Sequence, residues 1–190
     1  KRHGVQLKRR LHENGITWWD HQLAEYDPLP RYERFPDIWE NYAAEVGRDP
    51  DEFPFWAVTS RSMQYAWGAN VGLPLIREVA NNISGHDGVI INRTRAREAG
   101  IEEGDPITIE SAAGMSHGRA HLREGIRPDT VLMIGQFDHW ATPLAKDFGL
   151  ASLNTVTPLS LSLTDSTGSG ADLIRVAVHS GHRSKEGNVA

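Results

Sequence analysis

Ile91-Asn92-Arg93-Thr94-Arg95-Ala96-Arg97-Glu98-Ala99-Gly100-Ile101-Glu102-Glu103-Gly104-Asp105-Pro106-Ile107-Thr108-Ile109 is the stretch that decides the fold of this 190-residue chain. It opens at the end of Gly88-Val89-Ile90-Ile91-Asn92, a short continuous apolar run that reads as a buried strand. A short helix over Thr94–Ala99 follows, and Gly100 can close it because only glycine enters the left-handed conformation without cost. Glu103-Gly104-Asp105 is a turn, and Ile107–Ser111 is the next strand.

Working outward, the same texture continues on both sides. Downstream, Ala113-Gly114 begins a turn, Gly118–Arg123 alternates as a half-buried strand does, and Gly125-Ile126-Arg127-Pro128-Asp129 turns into the strand Thr130–Ile134. A loop over Phe137–Gly149, a polar segment over Asn154–Gly170 and a last strand, Leu173–Val178, complete that side. Upstream, Phe55–Thr59 is an apolar strand that runs into the polar loop Ser60–Tyr65, and Asn70–Asn81 is loop and short helix. About six short strands with a helix between two of them predict a mainly β fold with short helices, a small closed barrel and not an open parallel sheet.

Ahead of the barrel, Lys1–Pro54 is rich in Trp, Tyr, Pro and charge. Helices are predicted over Val5–Glu13 and over Pro36–Val46, where Phe35, Ile38, Trp39 and Tyr42 recur at helical spacing. Between them Tyr26–Tyr32 is extended, since each proline pushes its predecessor out of the helical region. The expected organisation is a strap over residues 1–52, a barrel over 53–180 and a flexible tail over 181–190. Lys1 is no natural start, so the chain is expected to be a fragment or processed piece.

Composition narrows the function classes. With 39% hydrophobic and 24% charged residues the chain can bury one good core. A net charge of -5 argues against a nucleic-acid surface, and Lys8-Arg9-Arg10 is too short to change that. The absence of cysteine excludes disulfides, thiolate zinc, iron–sulfur ligation and a cysteine nucleophile within these residues. No run of about 18 apolar residues and no signal-peptide pattern occurs, so direct membrane insertion is not expected, and the compartment stays open between periplasm and cytoplasm.

The Ile91–Ile109 stretch resembles the signature of the molybdopterin-dinucleotide-binding domain of the dimethyl-sulfoxide-reductase family, in which Asn, an Ala four residues on, Gly-Ile and Gly-Asp precede an alternating strand. Gly114, Arg119–Leu122 and Gly125–Val131 look like the family's next hairpin and its Ile-Arg-Pro turn. The sequence departs from the pattern at Arg93, Arg95 and Asp129, all expected to be exposed. The resemblance covers about Phe53 to Ser180 and implies a double-psi-type six-stranded barrel.

It also implies a cofactor, molybdopterin guanine dinucleotide carrying molybdenum or tungsten. On the family's pattern the loop after the first strand would contact it: Thr59, Ser60, Arg61, Ser62, Met63, Gln64 and Tyr65. That loop combines hydroxyl, amide and guanidinium donors with backbone N–H groups, which suits a diphosphate. Asn154, in the Asn-x-x-Thr element Asn154–Thr157, could pair with a pterin or guanine edge, and Asp165, Ser166 and Thr167 would line the same groove. A 4Fe-4S cluster and the metal-ligating residue are expected in the remainder of the catalytic subunit. An iron–sulfur electron-transfer subunit and a membrane anchor subunit are the implied partners. The strap and Ala66–Pro74 resemble the branch containing phenylacetyl-CoA oxidoreductase and the thiosulfate, tetrathionate and arsenate reductases.

Other readings compete. A free-standing barrel serving as a binding or adaptor module, or as a small separate subunit, keeps the fold without redox activity. A hydrolase would need two carboxylates on one cleft, from Asp105, Asp129, Asp138 and Asp165, and turn roles already occupy the first two. His117 and His121 share a strand face only if Gly118 does not break the strand, and no further ligands accompany them. His179 and His182 read as part of a solvated tail, and His139-Trp140 as a half-buried loop. Gly168-Ser169-Gly170 lacks the context of a nucleotide fingerprint.

Overall fold

Strands of alternating burial wrap the core. In the computed structural model, which describes residues 2–20, 23, 34–65, 68–83, 88–134, 150–158 and 174–181, these are β1 (Phe55–Ser60), β2 (Val89–Asn92), β3 (Pro106–Glu110), β4 (Met115–Arg123), β5 (Thr130–Ile134) and β6 (Ile174–Ser180). They close into a barrel in the order β1-β5-β2-β4-β3-β6. β1 pairs with β5, and β2 with β4, in parallel, while the other neighbours are antiparallel. Alternate residues point inward, so Ala57, Val89, Ile91, Ile107, Ile109, Ala120, Leu122, Val131, Met133, Ile174 and Val176 fill the interior. The expectation of a closed six-stranded, mainly β fold holds.

Strand direction decides which loops share an end. β1, β5 and β3 run one way and β2, β4 and β6 the other. One mouth is therefore bounded by Ser60, Ile134 and Glu110, where strands end, and by Val89, Met115 and Ile174, where strands begin. The opposite mouth carries α4 (Arg93–Glu98) and the turns Glu102–Asp105 and Glu124–Asp129.

The stretch that revealed the fold builds that opposite mouth. Asn92, 7% exposed, accepts from the N–H groups of Thr94 (3.0 Å) and Arg95 (3.3 Å) and donates to Ile126 O (2.8 Å). It thus caps the helix and ties it to the β4–β5 turn. Gly100 (φ 67°) and Gly104 (φ 86°) take the left-handed conformation, and Asp105 closes its turn by accepting from Glu102 N–H (2.8 Å). Asp129 accepts from Arg127 and Thr130. Arg93, Arg95 and Asp129, expected to be exposed, are instead partly covered and partnered. Arg93 pairs with Glu124 (2.8 Å), and Arg95 pairs with Glu98 and lies 5.5 Å over the Phe55 ring.

Outside the barrel wall, a 3-10 turn (Gly68–Gly72) and α3 (Pro74–Ala80) pack a second small core, in which Tyr65, Val71, Ala80 and Ile134 are buried with Ile76, Ile90, Leu132 and Leu150 against them. α5 (Leu153–Val156) is a single turn.

The described residues fall into two units, one within 1–47 and the other within 48–181. The first holds α1 (Arg2–Glu13) and α2 (Phe35–Glu45), close to the expected helices. Pro36 sits in the first turn of α2, where its missing N–H costs nothing, and Trp39, Tyr42 and Ala43 are buried. The expected extended stretch Tyr26–Tyr32 lies outside the described residues, as do Phe137–Gly149 and 182–190.

Two local expectations change. β4 begins at Met115 and passes unbroken through Gly118, so His117 and His121 do share the outer face. His179 belongs to β6 and not to a solvated tail: its Nε2 lies 2.9 Å from Glu110 Oε2, and the side chain is 19% exposed. Strand pairing with β3 carries the chain two residues further than apolar character alone suggests.

Candidate functional site

The loop leaving β1 is held at both ends. Ser60 closes the strand, and Tyr65, 2% exposed, is anchored in the second core. Between them Tyr65 N–H donates to Ser62 O (3.2 Å), making a tight turn that presents Met63 to solvent at 94% exposure. Thr59 and Arg61 are exposed, whereas Ser60, Ser62 and Gln64 are half-buried. Thr59 lies on the inner face of β1 two residues beyond buried Ala57, so its exposure marks where the barrel opens.

This turn carries unspent hydrogen-bonding capacity. Ser62 Oγ is buried and has no partner among the described residues. The N–H groups of Ser62, Met63 and Gln64 likewise donate to no acceptor among them. Buried polar atoms are nearly always paired, and each exception calls for an explanation such as an absent ligand or water. Adjacent N–H groups with a hydroxyl and an arginine suit an anionic, hydrogen-bonding group such as a diphosphate.

Asn154 is at the same mouth. It stands in the first turn of α5, exposed, and its amide makes no hydrogen bond among the described residues. Thr157, the last residue of the Asn-x-x-Thr element, spends its hydroxyl locally on Leu153 O (2.9 Å). α5 is seated on the β3–β4 hairpin by Ser111 and Ser116, which sequence reasoning missed. The available signal was the run of small residues at inward positions where a barrel strand normally carries apolar bulk. The structure thus brings the loop Thr59–Tyr65 and Asn154 to one mouth, while Asp165, Ser166 and Thr167 lie outside the described residues.

Those rival-site residues that are described have structural roles. His117 Nδ1 is 3.0 Å from Thr108 Oγ1, and His121 Nδ1 is 3.0 Å from Glu103 Oε1, so each histidine has its own partner. Among the described residues no group of three or more His, Asp or Glu side chains could hold a metal. Asp105 and Asp129 close turns at the far mouth, and Asp138, His139, Trp140 and His182 lie outside the described residues. Burial alone would raise the Glu103 carboxyl. Hydrogen bonds from His121 and Leu122 N–H, with the Arg123 charge, outweigh that and hold it below the ordinary carboxylate range. An open groove of about 390 Å3, lined by Val58, Ile90, Ile126 and Leu132 with two arginines at its rim, runs along the outer wall toward the far mouth. No helix among the described residues is long and apolar enough to cross a membrane.

The fold is thus a closed six-stranded barrel with a polar turn at one mouth whose donors are unsatisfied among the described residues. Residues 61–171, more than half of the chain, match the molydopterin dinucleotide binding domain, and the chain belongs to that family. It is 31% identical over 97 residues to the arsenate respiratory reductase molybdopterin-containing subunit ArrA of Shewanella sp. (strain ANA-3), a match that takes in 49% of this chain and 11% of that protein. Acetylene hydratase from Pelobacter acetylenicus shares the fold, with a TM-score of 0.61 at 15% identity over 90% of this chain and 22% of that one. The chain therefore spans between about a tenth and about a fifth of the length of these proteins.

Proposed function

We propose that the chain is the cofactor-holding part of the catalytic subunit of a molybdenum or tungsten oxidoreductase. In this reading the mouth formed by Thr59–Tyr65 and Asn154 grips a molybdopterin guanine dinucleotide. The observation that carries it is the Ser62 hydroxyl beside three backbone N–H groups, all without a partner among the described residues, at the mouth where Asn154 presents its amide. Arg61, Ser62 and Gln64 donate to the diphosphate, with Met63 contributing its N–H, while Ser60, whose hydroxyl donates to Arg61 O (3.3 Å), and Tyr65 shape the turn. Asn154 offers paired donor and acceptor to a heterocycle edge. Asp165 and Ser166 are assigned to the same groove on the family resemblance alone.

The bound metal–pterin group supplies the electron-transfer chemistry; these residues orient it and replace the water it loses. The metal ligand, the 4Fe-4S cluster, an iron–sulfur partner subunit and a membrane anchor belong to the rest of the assembly. The ArrA match supports the branch that holds phenylacetyl-CoA oxidoreductase and the arsenate, thiosulfate and tetrathionate reductases. Residues 1–52 form the strap from the catalytic body, and 53–180 the barrel domain.

Native mass spectrometry of the complex isolated from its source, with metal and released-pterin analysis, tests this. A large assembly carrying molybdenum or tungsten with guanine dinucleotide is expected. A metal-free, pterin-free monomer would replace it with a free-standing binding module.

A further inference from the structure

The inner face of the barrel changes character at the mouth that carries Asn154. On β3 the inward positions run Ile107, Ile109 and then Ser111; on β4 they run Leu122, Ala120 and then Gly118 and Ser116. Large apolar side chains there would complete the core. Small ones instead leave room, and the segment Ala151–Thr157 occupies it.

The fit is specific on both strands. Ser111 Oγ donates to Val156 O (2.6 Å), and Ser116 Oγ accepts from Ser152 N–H (2.8 Å). Both serines are buried, as are Ala151, Ser152 and Val156. A Cβ on Gly118 would lie 2.9 Å from Ala151 Cβ, and one on Gly114 would lie 2.7 Å from Thr155 O. Glycine is therefore required at both by contact, with no demand from backbone angle. The segment is gripped two residues before Asn154 and two residues after it, while Asn154 itself stays exposed and has no partner among the described residues.

We infer that Ser111, Ser116 and Gly118 are positioning residues: they seat Ala151–Thr157 in the barrel mouth and thereby fix where Asn154 presents its amide to the dinucleotide. This rests on the cofactor-binding reading above. A single helical turn cannot hold its own shape, so its geometry comes from the seat. A pre-placed amide spares the ordering cost of binding.

The test uses the full-length holoenzyme with Asn154→Ala, Ser116→Ala, Gly118→Ala and the Ser116→Ala/Asn154→Ala pair. Dinucleotide retained after gel filtration is measured alongside amide hydrogen exchange across 151–157. Asn154→Ala is expected to weaken retention about fivefold, the effect of one net hydrogen bond, with exchange unchanged. Ser116→Ala and Gly118→Ala should speed exchange in 151–157 and weaken retention by a similar factor. The pair should be no worse than Asn154→Ala alone, because the serine acts through the asparagine. If Gly118→Ala does not fold, Ser116→Ala, which adds no atoms, still decides. Unchanged retention in Asn154→Ala would overturn the assignment of Asn154 to the cofactor. An effect of Asn154→Ala with no effect of Ser116→Ala on retention, or an additive pair, would overturn the positioning role while leaving that assignment intact.

Discussion

Replacing Asn92 with alanine should destabilise the barrel without touching cofactor binding. The side chain does two jobs at the far mouth: its oxygen caps α4 through Thr94 and Arg95 N–H, and its amide reaches Ile126 O at 2.8 Å. Loss of the cap costs about 1 kcal/mol. Loss of the second bond leaves a part-buried carbonyl unpaired, for about another 1 kcal/mol. The expected total is about 2 kcal/mol, or a fall of about 4–8 °C in Tm for a chain of this size. Asn92→Asp keeps the cap and loses only the donor, so it should fall between the two. Urea unfolding followed by circular dichroism gives the free energies, and an unchanged slope shows that the unfolded state is not responsible. An Asn92→Ala variant within about 0.5 kcal/mol of the parent, the ordinary range for an inert surface change, would refute the structural role. A stably folded variant that lost the dinucleotide would refute the separation of this residue from the site.

Other expectations follow from the same contacts. Gly104→Ala, at φ 86°, should cost roughly 1–2 kcal/mol in unfolding experiments, whereas Gly125→Ala, with open space and no left-handed backbone, should be near neutral. Arg48→Met strips a 9% exposed Glu110 side chain of its 2.9 Å partner and leaves it His179 among the described residues, for an expected loss of about 2–3 kcal/mol that Glu110→Gln in the same chain partly restores. Glu103 has a lowered folded-state pKa, so its contribution is present above the ordinary carboxylate value and lost as pH falls through the folded value. The stability gap between the parent and Glu103→Gln should therefore narrow below about pH 4, and a gap that widened there would reverse the sign. The 190 residues alone should show no turnover with a viologen donor, and measurable turnover would overturn their reading as part of a larger catalytic subunit.

What could be read in advance was whatever depends on neighbours in sequence. Gly100 and Gly104 punctuate a helix and a turn through their own backbone angles, and β5 emerged with the bounds its apolar run suggests. Stacking of Arg95 on Phe55 was not legible, because the two residues are forty positions apart and meet only when β1 and β2 flank β5. His179 was misread for a similar reason: pairing with β3, not local composition, makes it strand. At the site, the donor-rich character of Ser60–Gln64 was visible, but the unpaired state of Ser62 Oγ requires knowing what surrounds it. The serines beneath α5 were overlooked because a hydroxyl signals nothing until the carbonyl it meets, 45 residues on for Ser111, is placed.

The two mouths of this barrel answer to different demands, which explains why the most recognisable residues are not those proposed to bind. Asn92, Gly100, Gly104 and Asp105 close hydrogen bonds or adopt backbone angles that few residues tolerate, so that end admits little variation for physical reasons alone. On the proposed reading the opposite mouth needs groups left unsatisfied in the protein so that a ligand can satisfy them, and hydroxyl, amide and backbone N–H donors are interchangeable there to a degree. Such a mouth would be costly to leave empty, since Ser62 Oγ is buried without a partner among the described residues. Binding should therefore stabilise the chain by satisfying that atom as well as by mass action. Ser62→Ala removes the unpaired group, and it should make the cofactor-free protein more stable and the cofactor-bound protein less so. That sign reversal is what an ordinary solvated loop would not produce.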